Sequence, residues 1–349
     1  MPQPPEDDPA DSPDAVQHHA ASALLKNCTN DQMKTTFAAI LAATLLAVSG
    51  GCSQQPQGQP ASTAESLAAA TTSPVTTEIA GLLLGRTNDI QLVVPKERSS
   101  RDWRPARSAA TRIRDAKLVV LNGAGWEPWS DRIALAPTRT VDLSKAVSQF
   151  LIEIPDAVTH QHGPGGAHSH KGIVPNTWLS PQLLLLQLPT LESALITAHP
   201  DSRELIQREA GRLRTTLQTL ADLAVSLKTK LSENPPKVVT DGPEFLYLLR
   251  DLGIDPVRIQ WPVDSAVNNG VADQIRQTAP QNGHPPALFI LNDRRSAESE
   301  KVVSDAGFRV LRLDDLEQTS ETKNAVTRLA DNLRAFQACL ETAPFSTPQ

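Results

Sequence analysis

Asp115-Ala116-Lys117-Leu118-Val119-Val120-Leu121-Asn122-Gly123-Ala124-Gly125-Trp126-Glu127-Pro128-Trp129 reads as a buried strand running straight into a glycine turn. Four apolar residues in a row, Leu118 to Leu121, suit a strand covered on both faces. Arg107 to Arg114 upstream reads as a short helix, and Ile90 to Val94 as a strand. Ile79, Leu82 and Leu83 mark a further helical run. Helix, strand and glycine turn in alternation are the grammar of an α/β domain with a mainly parallel sheet. Phe150 to Ile154 is expected as another strand. Leu183 to Ala198 is apolar and broken only by Pro189, which predicts a pair of buried helices.

Asp201 to Leu231 is the clearest helix in the chain. Leu213, Leu217, Leu220, Ala224, Leu227 and Leu231 recur at alternating spacings of four and three, one apolar stripe on a long helix. Past Pro235-Pro236 the alternation resumes. Val238 to Thr240 predicts a strand, Pro243 to Leu252 a helix stopped by Gly253, and Ala287 to Leu291 a strand. Ala297 to Ala306 predicts a helix, Arg309 to Leu313 a strand and Thr322 to Thr342 a closing helix. The expected architecture is therefore two α/β lobes, 74–200 and 232–349, joined by one long helix, 201–231.

The start of the chain reads differently. Residues 1–32 are polar and form an expected disordered leader, with Met33 as an alternative start. Residues 33–51 combine a positive charge, an apolar run from Phe37 to Val48 and small residues, the pattern of an export signal. Small residues ending on Cys52 predict a lipid anchor there. A plain secretory signal cut nearby is the alternative. Residues 52–73 are rich in Gln, Pro, Ser, Thr and Ala and read as a flexible tether.

Composition bounds the function. Net charge is −6, the pI is near 5.8 and no basic stripe appears, so nucleic acid is not an expected partner. Cys28, Cys52 and Cys339 lie far apart and give no disulfide framework or CxxC metal site. Gly123-Ala124-Gly125 lacks the full dinucleotide fingerprint, and neither a P-loop nor a serine elbow is present. No catalytic residue is assigned, and the chain is not read as an enzyme.

One segment carries metal chemistry on its face. His160, His162, His168 and His170 cluster among glycines and a proline. Imidazole is a good ligand for Zn²⁺, Cu²⁺ and Ni²⁺, so this loop is a candidate metal trap; an ordinary solvated polar loop is the alternative.

Three separated motifs carry a resemblance. Asp115 to Trp129, Pro175-Asn176-Thr177-Trp178-Leu179-Ser180-Pro181 and Phe245 to Ile254 are similar, in order and spacing, to signatures of the solute-binding proteins of zinc and manganese ABC transporters. The resemblance covers residues 75–340. It implies a two-lobed protein with a metal in the cleft, zinc before manganese, and a permease in the inner membrane as partner. It also implies a monomer in the periplasm or cell envelope, held to the membrane only through the anchor. In that alignment Arg101, Asn176, Gly242 and Asn292 occupy the positions of the four family ligands. Arg has no acceptor and keeps its charge, Gly has no side chain, and Asn suits zinc poorly. Neighbouring Asp102, Asp241 and Asp293 offer a substitute oxygen-rich set for Mn²⁺ or Mg²⁺; solvated loop acids are the bland alternative. Arg101 could equally pair with Asp102 or Asp131 for structure alone. The rival overall reading is a metal-site-deficient paralogue binding another small ligand or a partner protein. Glu127, in the glycine-turn motif, is expected at the lobe surface.

Overall fold

The computed structural model describes residues 67–85, 90–96, 98–154, 172–262, 265–280 and 287–342. The leader, the signal, Cys52 and His160, His162, His168 and His170 lie outside the described residues.

The N-terminal lobe begins with β1 (Ala69–Thr71), α1 (Pro74–Leu84), β2 (Ile90–Leu92), α2 (Arg107–Asp115), β3 (Val119–Leu121) and β4 (Thr140–Asp142). All pairings are parallel, in the order β2-β1-β3-β4. A short antiparallel ladder follows, β5 (Glu153–Ile154) with β6 (Gly172–Ile173), and brackets the histidine-bearing segment. Then come α3 (Pro181–Ala198) and α4 (Arg203–Glu233). The C-terminal lobe runs β7 (Val238–Thr240), α5 (Leu246–Asp251), β8 (Val257–Arg258), α6 (Asn269–Thr278), β9 (Leu288–Asn292), α7 (Ala297–Asp305), β10 (Arg309–Leu313) and α8 (Ala325–Thr342). Its sheet is again parallel, in the order β10-β9-β7-β8.

Alternation along the strands explains why both sheets are covered on both sides. In the C-terminal lobe Val238, Leu288 and Ile290 face one hydrophobic cluster while Val239, Phe289 and Leu291 face another. In the N-terminal lobe Ala69 and Val120 face the first cluster, and Ala70 and Val119 a third with Trp103 and Trp129. That first cluster is shared by the two lobes through α4. Leu213, Leu217, Leu220, Ala224, Leu227 and Leu231 are buried in it, as the sequence spacing requires. With 31 residues α4 is about 46 Å long at 1.5 Å per residue, long enough to back both lobes.

Three expectations need correction. Pro189 does not split α3, which runs unbroken from Pro181 to Ala198. Burial of Leu183, Leu184, Leu188, Leu191 and Leu195 outweighs the one backbone bond that proline removes. The tether does not reach residue 73, because Ala69–Thr71 is an inner strand, wholly buried. The strand expected from Phe150 starts later, since Leu143–Phe150 forms 3-10 turns.

In each lobe the strand order reverses direction around its first strand: β2 and β3 flank β1, β8 and β9 flank β7. Ligands of parallel sheets settle at the carboxyl ends of strands near such switch points. Those ends carry Thr72, Asn122, Asp241, Asn292 and the loop after β10.

Candidate metal-binding cleft

The glycine turn after β3 is held by one carboxylate. Gly123 and Gly125 both have φ of 78°. A Cβ on Gly123 would lie 1.9 Å from Asp142 Oδ1, so only glycine fits. Glu127 is buried and accepts from Asn122 N at 2.8 Å, from Gly123 N at 3.0 Å and from the Thr72 hydroxyl. Burial pushes its carboxyl to about 7, against the pull of those hydrogen bonds. Glu127 therefore ties the turn to the end of β1 from inside the lobe. The surface role expected for it does not hold: three converging donors draw the side chain inward.

Indole rings join the lobes. Trp126 Nε1 donates to Thr72 O at 3.1 Å, and the ring packs edge-on against Trp178 at 5.0 Å. Trp178 Nε1 in turn donates to Asp315 O at 2.9 Å, on the loop after β10. The segment 175–181 thus bridges the glycine turn and the C-terminal lobe.

Arg101 is half-buried, its guanidinium 5.5 Å from the Trp126 ring centre and 3.4 Å from Asn176 Oδ1. Among the described residues it has no ion pair with Asp102 or Asp131. Asn176, fully buried, donates through Nδ2 to Glu317 Oε1 at 3.0 Å. Arg294 Nη2 reaches the other oxygen of Glu317 at 3.1 Å and Asp315 Oδ2 at 2.6 Å. Asn292 is turned to the same Asp315, donating at 2.7 Å. At Gly242 a Cβ would fall 2.1 Å from Glu244 Oε2. The space that a side chain at 242 would fill is taken by the carboxylate of Glu244.

The structure thus brings Arg101 and Asn176 together, sets Glu244 where position 242 has no side chain, and directs Asn292 elsewhere. The substitute set Asp102, Asp241 and Asp293 does not assemble. Asp102 and Asp293 are exposed, while Asp241 is wholly buried and pairs with Arg295 at 2.8 Å. Among the described residues no three His, Cys, Asp or Glu side chains are arranged around one ion.

Glu244 and Glu317 are the functional candidates that residue-by-residue reading passed over. The available signal was position: each follows the carboxyl end of a parallel strand, β7 or β10. Glu244 is 8% exposed and its Oε2 has no hydrogen-bond partner among the described residues. Burial pushes its carboxyl to about 7; the charges of Glu317 and Asp241 add to the shift and Arg101 opposes it. Glu317 is also raised, by burial and by Asp315, against Arg101, Arg294 and Asn176. Glu317 thus acts on Glu244 through its charge, Arg294 pairs with Glu317 and Arg101 acts on both, and the two carboxylates form a hard-oxygen pair of the kind a divalent cation takes.

Residues 69–339 match the family described as zinc-uptake complex component A, periplasmic. This chain belongs to that family. It is 24% identical over 222 residues to the high-affinity zinc uptake system protein ZnuA of Bacillus subtilis, covering 63% of this chain and 69% of that one. It is 20% identical over 279 residues to the manganese-binding lipoprotein MntA of Halalkalibacterium halodurans, covering 79% and 87%. In fold it is similar to the solute-binding protein FpvC of Pseudomonas aeruginosa solved with Mn²⁺, with a TM-score of 0.60, 19% identity and 78% and 98% coverage. The two-lobed α/β architecture is that of these solute-binding proteins. No helix among the described residues is long and apolar enough to cross a membrane.

Gly242 offers a direct probe of the carboxylate arrangement. In Gly242→Ala the new methyl claims the place of Glu244 Oε2, and the flexible carboxylate swings away. The expected stability loss in denaturant unfolding is about 1 kcal/mol, the low end for overpacking. The expected loss of manganese affinity by calorimetry is about tenfold, one step of 1.4 kcal/mol.

Proposed function

We propose that the chain is the extracytoplasmic metal-binding component of a zinc or manganese ABC uptake system, capturing the ion in the cleft and passing it to a permease. The family match across both lobes carries this reading. The cleft chemistry supports it: Glu244 and Glu317 now draw positive charge from Arg101, and a divalent ion at those oxygens does the same with twice the charge. Arg101, half-buried and held by a 3.4 Å contact to Asn176 and by the face of Trp126 at 5.5 Å, withdraws as the ion enters. Asn176 Oδ1, released from Arg101, is a further oxygen donor. The four loop histidines, bracketed by β5 and β6, supply a nitrogen-rich trap that zinc favours over manganese. The two carboxylates and the family match weigh for metal over a scaffold turned to another task. Cys52 anchors the chain, and it works as a monomer.

Titration with zinc and with manganese by calorimetry tests this on the full chain. A second sample carries His160, His162, His168 and His170 changed to Ala. Expected is one manganese site unaffected by the four changes, and zinc binding weakened but still present. Absence of binding by both metals in both samples overturns the reading. Zinc binding that vanishes with the four histidines, with no manganese binding, moves capture from the cleft to the loop.

A further inference from the structure

Beside the carboxylate pair lies a cavity of about 470 Å³. A water-sized ligand needs about 30 Å³, so a bare metal ion leaves nearly all of this chamber without a purpose. Its walls come from both lobes: Lys96, Arg98 and Ser100 from the loop after β2, Arg294, Glu317 and Thr319 from the other side. The Trp126 ring adds an apolar face. Arg294 is offset by Asp315 and Glu317. Lys96 and Arg98 are exposed, and among the described lining residues the cations Lys96, Arg98 and Arg294 face the single carboxylate of Glu317.

We propose that this chamber binds a small polycarboxylate anion, and that the metal is carried as its carboxylate complex. The second half rests on the metal reading above. The geometry gives each part of such a ligand a partner. Lys96 and Arg98 meet free carboxylates by charge-assisted hydrogen bonds, the guanidinium as a two-pronged donor. Ser100 and Thr319 supply hydroxyls for further oxygens. Glu317 belongs to both the chamber and the carboxylate pair, so the complexed metal sits on that side and the organic anion on the other. The volume lies within the 300–1,000 Å³ of small-molecule pockets and suits an organic acid of about a dozen non-hydrogen atoms better than a single phosphate.

Calorimetry on the full chain with four probes tests it: citrate, zinc, the one-to-one zinc–citrate complex and inorganic phosphate. The variant is Lys96→Ala/Arg98→Ala, whose positions are exposed and outside the core; circular dichroism checks its fold. Expected is that the double variant binds zinc–citrate at least tenfold more weakly and binds zinc alone within twofold of wild type. The difference should shrink in added salt, as exposed charges are screened. Unchanged zinc–citrate affinity in the variant overturns the proposal, and phosphate binding as tight as citrate overturns the choice of a polycarboxylate. Zinc–citrate binding that needs Lys96 and Arg98 while zinc alone fails to bind keeps this proposal and removes the bare-ion reading. Zinc binding that citrate does not alter does the reverse.

Discussion

Glu244→Gln lowers manganese affinity at pH 8 by one to two orders of magnitude and flattens its pH dependence. In the wild-type chain the carboxyl titrates at about 7, because burial and the charges of Glu317 and Asp241 outweigh Arg101. A metal can bind Glu244 only as carboxylate, so binding releases a proton and apparent affinity falls about tenfold per pH unit below 7. The amide keeps the shape and removes both charge and titration. Stability moves the other way. The folded-state value lies above the ordinary 4.5, so the folded protein holds an extra proton between the two. The stabilisation linked to that proton is full below about pH 4 and is lost as pH rises through 7. Glutamine resembles the protonated form at every pH. The variant should therefore be more stable than wild type at pH 8, by an amount on the order of 3 kcal/mol, and nearly equal to it at pH 5. Calorimetric titration at pH 6, 7 and 8, beside urea unfolding at pH 5 and 8, measures both. Unchanged metal affinity at pH 8 would remove Glu244 from the cleft chemistry.

The stripe Leu213 to Leu231 and the strands Val238–Thr240 and Arg309–Leu313 are legible in the sequence because burial of a periodic face is a local pattern. β1 is not legible. Ala69-Ala70-Thr71 has one β-branched residue and no aromatic, too little to mark a strand, and it is an inner strand because β2 and β3 pair with it on both edges. The cleft positions Arg101 and Asn176 came from the resemblance, as the residues standing where the family's motifs keep ligands, and they do meet. Glu244 and Glu317 were missed because neither belongs to a motif. One matters because Gly242 leaves a gap that it fills, the other because Asn176 and Arg294 hold it from two elements distant in sequence. Such facts arise from folded geometry. Asp241 was noticed for the wrong reason, as a substitute ligand, when its partner lies more than fifty residues downstream at Arg295.

That pair yields the largest expected stability effect. Arg295 is 4% exposed, and Asp241 is fully buried. Its Nε donates to Asp241 Oδ2 at 2.8 Å, and Nη1 donates to Pro262 O at 2.9 Å and Ser265 O at 3.1 Å. Nη2 donates to Trp261 O, and the guanidinium stacks 3.9 Å from the Trp261 ring centre. One side chain thus satisfies three carbonyls of the loop after β8 and the charge at the end of β7. Arg295→Ala leaves Asp241 buried without its cation, a change that costs about 3–5 kcal/mol and lowers Tm on the order of 10 °C. The pH dependence distinguishes a lost charge partner from lost packing. Burial already raises the Asp241 carboxyl, and Arg295 opposes that rise. Without Arg295 the carboxyl rises further, so it takes up a proton as pH falls and the buried charge disappears. The deficit of Arg295→Ala should therefore be largest at pH 8 and shrink toward pH 5, whereas a packing defect would be the same at both. Asp241→Asn/Arg295→Ala should recover part of the loss at pH 8, because the amide carries no charge to strand. Since Asp241 immediately precedes Gly242, the single variant should also weaken manganese binding, and the double variant should restore it in proportion to the stability regained. Metal affinity restored without any recovery of stability would separate the ion pair from the cleft it borders.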